Sequence, residues 1–349
     1  MYECLQLLNF RGFSDFSMEL KPITLISGKN NTGKSSLLES VFLFQDYATP
    51  DVFPKLLGFR GIRDVGWTPK TLWEPLFHKG DLGTPVRISL GFDNFMSLEK
   101  NTTFVMSNTV PSNGSNKKRE QSANYTLTCS FKRGNHEFVG DYFFNNGLVL
   151  QNRVDTPILP NVEFMQYLGP NIILSEVEVA ERLGQMELSN SKERAVEVLQ
   201  IIDKSITDIT TIASDGHVHL YITKCDGTKL PFHAVGDGAK KIFHIALTML
   251  ARPESIILLD EVENGIHYSV LTKFWEVIGK IAKSENCQII ATTHSYECIV
   301  SAMEGVEGAC MQDSFLFTRL DKSEEGQIAA KSFSHKMLKS AVSSDWEVR

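Results

Sequence analysis

The stretch GKNNTGKSS, residues 28–36, constrains this 349-residue chain more than any other part of it. It matches the pattern G-x-x-x-x-G-K-[ST]. The residues at the fixed positions are Gly28, Gly33, Lys34 and Ser35. An apolar, β-branched run, residues 23–27, precedes the stretch, and apolar residues at helical spacing follow it from Leu37. The sequence therefore predicts a buried strand, a glycine-rich loop and a helix, in that order.

Each residue type in this loop suits a phosphate group. Glycines let the main chain wrap closely, so that its N–H groups point at phosphate oxygens. The helix that follows presents the positive end of its dipole to the same anion. Lys34 would neutralise the β- and γ-phosphates, and Ser35 would ligate Mg²⁺. We therefore expect ATP and Mg²⁺ to be the cofactors.

Composition sets broad limits on the protein. The 349 residues are enough for one large domain or two ordinary ones, and with 42% hydrophobic residues the chain can build a real core. The net charge of −7 argues against a protein that coats DNA through a generally basic surface. A local basic patch remains open, and the run Lys117–Arg119 in the polar stretch 107–124 is either a contact for a phosphate backbone or a solvated loop.

The same composition bears on location. The six cysteines form no C-x-x-C pair, which favours reduced thiols over a disulfide framework or a zinc site. No apolar run approaches the roughly 20 residues of a membrane span, and the first residues already have the pattern of a strand. We expect a cytoplasmic protein without a signal peptide or a membrane partner.

A second apolar strand, residues 255–259, ends in the two carboxylates Asp260 and Glu261. A buried parallel strand delivers its last residues to the carboxyl edge of the sheet, where ligands bind in such folds. Asp260 is placed to hold Mg²⁺, through a water molecule. Glu261 is the candidate general base for an attacking water.

A third apolar strand, residues 288–293, ends in His294. It follows the acidic strand by about one helix, which is the spacing of a βαβ unit. A histidine at this edge could hydrogen-bond the γ-phosphate and report its presence.

The turn Gly236-Asp237-Gly238 opens a strongly apolar helix over residues 242–250. It is a second helix N-terminus of the kind that binds anions. Because one chain is expected to hold one triphosphate, two such termini suggest that two molecules share nucleotides across an interface.

Hydrophobic periodicity predicts the remaining elements. The predicted strands cover residues 4–8, 16–20, 86–90, 125–131, 137–139, 162–168, 217–222 and 315–320. Helical spacing covers residues 37–49 and 175–210. Prolines at 50, 54, 69 and 75 predict an irregular segment over residues 50–84.

Together these pieces resemble the ABC-type ATPases, in the RecF/SMC branch and not among the transporters. The opening NFRGFSDFSMELKPITLISGKNNTGKSSLLES is similar to that branch's N-terminal strands and phosphate loop. LLDEVENGIH resembles its Walker B motif and D-loop, ATTHS its switch histidine, and AVGDGAKKIFHIALTML its signature helix. Within the branch, the chain most resembles the ATPase of OLD-family (overcoming lysogenization defect) nucleases and their stand-alone relatives in anti-phage systems.

The resemblance implies a role for each matching residue. The expected nucleotide-binding residues are Arg11, Gly28, Asn30, Asn31, Thr32, Gly33, Lys34, Ser35 and Ser36, with Gly236, Asp237 and Gly238 acting on ATP held by a partner subunit. The expected catalytic residues are Lys34, Glu261 and His294, and the expected magnesium ligands are Ser35, Asp260 and Gln166. Asn264 and His267 fall in the D-loop segment. Gln166, in FMQYLGPN, is the candidate Q-loop residue, although relatives often carry an arginine where this chain has Asn171.

The fold that the resemblance implies is α/β: an ABC-ATPase (P-loop NTPase) head with a mixed sheet, an antiparallel β subdomain and a helical insertion. We expect one domain over residues 1–349, with an N-terminal lobe of residues 1–165 and a C-terminal lobe of residues 166–349. Coiled-coil arms are not expected. The 55 residues after His294 are too few for an ordinary Toprim nuclease domain.

Two functions remain open at this point. The first is an ATPase that forms a homodimer around ATP, or a higher oligomer, and controls an effector supplied in trans, such as a nuclease, in bacterial anti-phage defence. The alternative is a RecF-like ATPase that binds DNA in repair or recombination. A transporter subunit fits poorly, because the signature turn follows Lys34 by about 200 residues, more than a compact transporter ATPase needs.

Overall fold

The computed structural model describes residues 1–46, 51–62, 68–91, 94–105, 122–133, 136–145, 148–154, 164–170, 174–214 and 216–344. The strands in this part of the chain are β1 (Cys4–Phe10), β2 (Phe13–Glu19), β3 (Ile23–Gly28), β4 (Val86–Leu90), β5 (Asn94–Val105), β6 (Ser122–Arg133), β7 (His136–Asn145), β8 (Leu148–Val154), β9 (Met165–Leu168), β10 (Ile206–Ser214), β11 (His217–Lys224), β12 (Lys229–Pro231), β13 (Ile256–Leu259), β14 (Gln288–Thr292), β15 (Phe315–Lys322) and β16 (Ile328–Ser334).

The α-helices are α1 (Lys34–Asp46), α2 (Val52–Phe59), α3 (Pro69–Leu72), α4 (Glu176–Leu188), α5 (Lys192–Ile202), α6 (Asp237–Ala251), α7 (Tyr268–Glu285), α8 (Tyr296–Gly308) and α9 (His335–Ser343). Short 3-10 turns occupy Glu74–Leu76, His78–Gly80, Phe232–Ala234 and Gln312–Ser314. None of the helices in the described residues combines the length and the hydropathy that crossing a bilayer requires.

A six-stranded mixed sheet forms the centre of the molecule, in the order β16-β15-β3-β14-β13-β9. Its neighbouring strands are parallel except for the antiparallel pair of β15 and β16. Leu259 is in register with Ala291, and Ala291 with Leu25, so the carboxyl ends of β13, β14 and β3 lie at one edge. This edge brings the phosphate loop, the acidic strand end and the histidine strand end side by side.

Two hydrophobic cores cover the two faces of this sheet. Because side chains alternate along a strand, Ile257 and Leu259 pack with helices α4 to α8 on one face. Ile256 and Leu258 pack on the opposite face with α1 and with a seven-stranded antiparallel sheet of order β2-β1-β4-β5-β6-β7-β8. A third sheet, β10-β11-β12, joins the first core beyond α5. The predicted α/β class, mixed sheet and antiparallel β subdomain are confirmed.

Helix α1 lies between the central sheet and the antiparallel sheet, and ten of its thirteen residues are buried. Most of them are apolar on every side of the helix, which is typical of a helix enclosed in a core. Four of the ten are polar or charged, and among these Glu39 has a fully buried carboxylate. The helix that carries the phosphate loop is thus fixed by packing on both sides.

Several predicted elements differ from the observed ones. The segment 50–84 was expected to be irregular, but α2 forms there with Pro54 in its first turn, where a helix needs no N–H donor. Helical spacing was expected through residue 210, but β10 begins at Ile206. Its partner β11 pairs with it along its whole length, so the hairpin overrides the weak local pattern. The run Lys117–Arg119 lies outside the described residues.

Candidate active site

The phosphate loop has a shape that favours glycine at two of its turn points. Gly28 has φ of +151° and Gly33 has φ of +91°. A Cβ atom on Gly33 would lie 2.7 Å from Cζ of Phe13, and one on Gly28 would lie 2.7 Å from the carbonyl oxygen of Leu320. The main chain is therefore held tightly between the two sheets while it curls around an open space.

Lys34 lies at the centre of this curl. Its Nζ donates hydrogen bonds to the carbonyl oxygens of Gly28, at 2.8 Å, and Lys29, at 3.0 Å. Burial lowers the pKa of Lys34 to about 8, against the opposing pull of Asp260, Glu261 and neighbouring acidic groups. An ammonium group folded onto carbonyl oxygens is ready to exchange them for phosphate oxygens, which carry full negative charge.

The polar side of the loop faces a cavity. Asn30, Asn31 and Thr32 line it together with Leu320–Lys322 at the end of β15, and its volume is about 430 Å³. Thr32 Oγ1 also donates a hydrogen bond to the carbonyl oxygen of Lys29 at 2.8 Å. Three of the predicted loop residues, Asn30, Asn31 and Thr32, thus line one open cavity.

Asp260 follows β13 and is held by two hydroxyl groups. Tyr167 Oη donates a hydrogen bond to Oδ2 of Asp260 at 2.9 Å, and Thr292 Oγ1 donates one to Oδ1. Burial and the neighbouring carboxylate raise the pKa of Tyr167, so the phenol stays a donor. Both bonds fix the orientation of a carboxylate that is only 6% exposed.

Glu261 and His294 meet at the same edge. Oε1 of Glu261 lies 3.9 Å from Nε2 of His294, and both side chains are partly exposed. The main-chain N–H of Glu261 donates a hydrogen bond to Thr292 Oγ1 at 2.9 Å. One hydroxyl of β14 therefore links the two acidic residues that follow β13. Glu261 is accessible to a water molecule, as a general base must be.

The turn at Gly236 lies at the N-terminus of α6. Gly236 is the N-cap residue, and a Cβ atom on it would meet nothing within 4 Å. The side chain of Asp237 is 81% exposed and pairs with Nζ of Lys240 at 2.6 Å, within the same helix. The start of this 15-residue helix is therefore open to solvent.

A buried ion cluster supports the helix that carries the loop. Glu39 accepts from Arg11 at 3.0 Å and from Arg60 at 2.7 and 2.9 Å. Arg60 also donates to Ser36 Oγ at 3.1 Å. Burial lowers the pKa of Arg11 to about 10, although the neighbouring Glu39 opposes the shift. Arg11, expected near the nucleotide, is thus bound to the helix that follows the phosphate loop.

Gln166 is not brought to the acidic cluster. It pairs in register with Ile257, three residues before Asp260 along the neighbouring strand. Because alternate side chains of a strand point to the same face of the sheet, Gln166 lies on the face of Leu168, which packs against the helices. Its Oε1 accepts a hydrogen bond from Arg182. The next residue, Tyr167, makes the contact with Asp260. The expected role of Gln166 as a magnesium ligand is not met in this arrangement.

Sequence reasoning missed four residues of this site. Tyr167, Thr292, Arg60 and Lys241 each contact a predicted site residue, through its side chain or its main chain. Three of them lie on elements distant in sequence from the residue that they hold. Tyr167, Lys241 and Thr292 stood in quoted motifs, as the residue after Gln166, a residue of the signature helix and the residue two positions before His294, whereas Arg60 stood in none.

The residues present fit Mg²⁺ and a nucleoside triphosphate. The curled main chain, the Lys34 ammonium and the oriented Asp260 carboxylate are the groups that such a ligand needs. Ser35 and Asp260 would hold the metal. Magnesium beside phosphates is commonly bound through one or two protein side chains, with phosphate oxygens and water completing its coordination.

Known proteins resemble this chain over most of its length. The family described as "AAA domain, putative AbiEii toxin, Type IV TA system" matches residues 112–299, and the family described as "AAA ATPase domain" matches residues 1–153. An "ATP/GTP phosphatase" of Helicobacter pylori (strain ATCC 700392 / 26695) is 24% identical over 327 residues, which covers 86% of each chain.

Two solved structures share the fold. One is an Smc head bound to the C-terminal winged-helix domain of ScpA, with a TM-score of 0.52, 14% identity and coverage of 98% of this chain and 99% of that one. The other is an Smc head domain with an extended coiled coil, bound to the C-terminal domain of ScpA derived from Pyrococcus furiosus. Its TM-score is 0.51, with 11% identity and 98% coverage of both chains. The fold of this chain is therefore that of an Smc head domain.

Proposed function

The chain belongs to the first of these families, that of the AAA domains, and is an ATP hydrolase; we propose that two copies close around ATP and thereby control a partner effector in bacterial anti-phage defence. The effector is taken to be a nuclease. The dimer, the effector and the defence role go beyond ATP hydrolysis.

The exposed N-terminus of α6 supports the proposed dimer. The start of α6, at Gly236 and Asp237, is exposed, although a helix N-terminus opened by Gly-Asp-Gly is suited to an anion. The phosphate loop of the same chain already has its own helix N-terminus, that of α1. If a second copy brought its bound ATP to α6, the N-termini of both α1 and α6 would contact phosphate groups. ATP would then shift the population from separate heads to a closed pair.

Four side chains would carry out ATP hydrolysis within each site: those of Lys34, Asp260, Glu261 and His294. Lys34 would neutralise charge on the phosphates, and Asp260, held by Tyr167 and Thr292, would face the metal. Mg²⁺ would supply further neutralisation of the phosphate oxygens. Glu261 would accept the proton of the water that attacks the γ-phosphorus, while the bond to the β-phosphate oxygen breaks and ADP and phosphate form. His294, 3.9 Å from Glu261, would sense the γ-phosphate.

The defence role and the effector rest on likeness. The matched family is described as "putative AbiEii toxin, Type IV TA system", and because a toxin–antitoxin system has two components, this description supports a partner protein for the chain. The motifs of this chain also resemble those of OLD-family ATPases. Because the same fold hosts many functions, the defence role needs a direct experimental test.

The test uses the Glu261→Gln variant, which should bind ATP and hydrolyse it slowly. Mass photometry would follow this variant with Mg·ATP, alone and mixed with the product of the neighbouring gene. The matched control is the same variant with Lys34→Ala, which should bind no nucleotide. A dimer that forms only with ATP and an intact Lys34, and that recruits the neighbouring protein, supports the proposal.

Other outcomes contradict separate parts of it. If no ATP-dependent dimer forms while ATP is bound, the shared-nucleotide model is wrong. If a dimer forms and ignores the neighbouring protein, the RecF-like alternative becomes the better hypothesis. DNA is then the next ligand, and a steep loss of affinity with rising salt would indicate phosphate contacts.

A further inference from the structure

Lys241, in the first turns of α6, reaches out of its helix to the loop that follows β13. Its Nζ donates hydrogen bonds to the carbonyl oxygen of Asn264 at 2.8 Å and to that of Glu261 at 3.2 Å. Within the described residues, Lys241 forms no ion pair, and both of these acceptors belong to the main chain. Burial lowers the pKa of Lys241 to about 8, although Glu263 and Glu261 oppose the shift.

The loop that Lys241 contacts has an unusual conformation at Glu261. This residue has φ of +47°, in the left-handed region that residues other than glycine seldom adopt. Its N–H donates to Thr292 Oγ1, and its carbonyl oxygen accepts from the N–H of Asn264 as well as from Lys241. Such a conformation is energetically unfavourable and persists only where surrounding contacts hold it.

Three residues form these hydrogen bonds with the main chain of Glu261, and Lys241 is the one that lies outside the ends of β13 and β14. Thr292 belongs to β14 and Asn264 to the loop itself, whereas Lys241 belongs to the helix whose start is Gly236. A side chain that fixes the main chain of Glu261 also fixes where its carboxylate points, because the χ angles are measured from that main chain.

We propose that Lys241 is a positioning residue for ATP hydrolysis, which holds the main chain of Glu261 so that its carboxylate meets the attacking water. The inference rests on the proposed role of Glu261 as the general base. Helix α6 would then position Glu261 of its own chain, in addition to any contact that the first turn of α6 makes with a second copy.

The test compares Lys241→Met with the parent protein. Methionine keeps the length and the apolar stem but removes the N–H donors. We expect kcat for ATP to fall by about tenfold to a hundredfold, the loss that a displacement of roughly 1 Å can cause. ATP affinity, measured with a fluorescent analogue, should change by less than about twofold, because Lys241 is not among the groups that face the phosphates. ATP-dependent assembly should persist.

Lys241→Arg is the second variant, since arginine restores the cation and several N–H donors. It should return kcat to within about threefold of the parent value. If Lys241→Met does not fold, Lys241→Arg decides alone: a kcat within that range supports the inference, and a tenfold loss overturns it. If both variants fold and both are slow to the same degree, the donors do not matter and the inference is wrong.

Two controls separate the possible failures. Lys280→Met removes an exposed lysine that pairs with Glu276 on its own helix, and it should leave kcat unchanged. Glu261→Gln is measured in the same assay. If Glu261→Gln keeps the parent rate, the proposed role of Glu261 is wrong. If Glu261→Gln is inactive while Lys241→Met keeps the parent rate, only the inference about Lys241 is overturned.

Discussion

Gly238 lies so close to the loop after β13 that a Cβ atom on it would come within 2.5 Å of the carbonyl oxygen of Gly265. Real Cβ atoms do not approach a main-chain oxygen at that distance, so any larger residue must displace the loop. The loop in question begins with Asp260 and Glu261. The first turn of α6 is therefore in direct contact with the segment that carries Asp260 and Glu261.

We expect Gly238→Ala to destabilise the protein and Gly236→Ala not to. In an ordinary helix alanine would stabilise, but at position 238 the clash with Gly265 should cost about 2 kcal/mol. A Cβ on Gly236 meets nothing within 4 Å, so its replacement should change stability by less than about 0.5 kcal/mol. Thermal unfolding of the two variants without nucleotide measures the difference.

The same pair tests the dimer. If the turn meets ATP on a second copy, Gly236→Ala should weaken ATP-dependent dimerisation by about tenfold, equivalent to about 1.4 kcal/mol, while leaving the monomer intact. Dimerisation at the parent level in Gly236→Ala would count against that contact. Equal stability of the two variants would contradict the close approach of Gly238 and Gly265.

The hydroxyl of Tyr167 should matter for magnesium. Tyr167→Phe removes one of the two hydroxyl donors that orient Asp260 and changes little else, since the ring still stacks on Phe59 at 3.8 Å. Loss of a group that orients a metal ligand typically weakens metal binding by tenfold or more. We expect the Mg²⁺ concentration for half-maximal ATPase activity to rise by about tenfold.

The control for this variant is Tyr2→Phe. Tyr2 is also buried and its hydroxyl also has a hydrogen-bond partner, Gln45, away from Asp260. Its replacement should leave the Mg²⁺ dependence unchanged. An unchanged Mg²⁺ requirement in Tyr167→Phe would show that Thr292 alone orients the carboxylate.

Glu39→Gln should destabilise the protein strongly. The glutamate side chain is fully buried between Arg11 and Arg60, and Arg11 is itself only 10% exposed. Removing the charge leaves a buried guanidinium without its counterion, at a cost of about 3 kcal/mol. The midpoint of thermal unfolding should fall by roughly 5 °C.

Glu307→Gln provides the comparison. Glu307 pairs with Lys339, and both side chains are about half exposed. An exposed pair contributes less than about 1 kcal/mol, so the unfolding midpoint should hardly move. If Glu39→Gln proves as mild as Glu307→Gln, the buried cluster does not stabilise α1.

His244 should make the protein sensitive to acid. Burial lowers its pKa to about 4, with Arg182 and Lys240 adding to the shift and Glu178 opposing it, and its Nδ1 accepts a hydrogen bond from the N–H of Leu174. The unfolded chain takes up this proton near pH 6.5. Between that pH and pH 4 the unfolded state binds more protons, so stability falls as pH falls, by about 3 kcal/mol.

His244→Asn removes this titration. Urea unfolding at pH 7 and pH 4.5 should show a smaller loss of stability in the variant than in the parent, by about 2–3 kcal/mol. Parallel losses in the two proteins would mean that His244 accepts its proton in the folded state as easily as in the unfolded one.

The phosphate loop and the strand ends could be predicted from sequence because their signals are local. About fifteen residues around Gly28 and Gly33 contain all of the signals: a β-branched apolar run for the strand, glycines at the two positions with positive φ, and the start of the helix. Asp260 and His294 were found for the same reason, as polar residues at the ends of apolar strands. Their convergence followed from the rule that parallel strands share a carboxyl edge.

The chain itself thus determined the strands, the loop and the residue types at the carboxyl edge of the central sheet. Only the tertiary structure decided which residues hold them: Tyr167 on Asp260, Arg60 and Arg11 on Glu39, and Lys241 on the main chain of Glu261. It also placed Gln166 on the opposite face from Asp260, through the alternation of one edge strand. Local patterns encode backbone conformation, whereas these contacts join segments up to about a hundred residues apart, and their partners are set by how the sheets and helices pack.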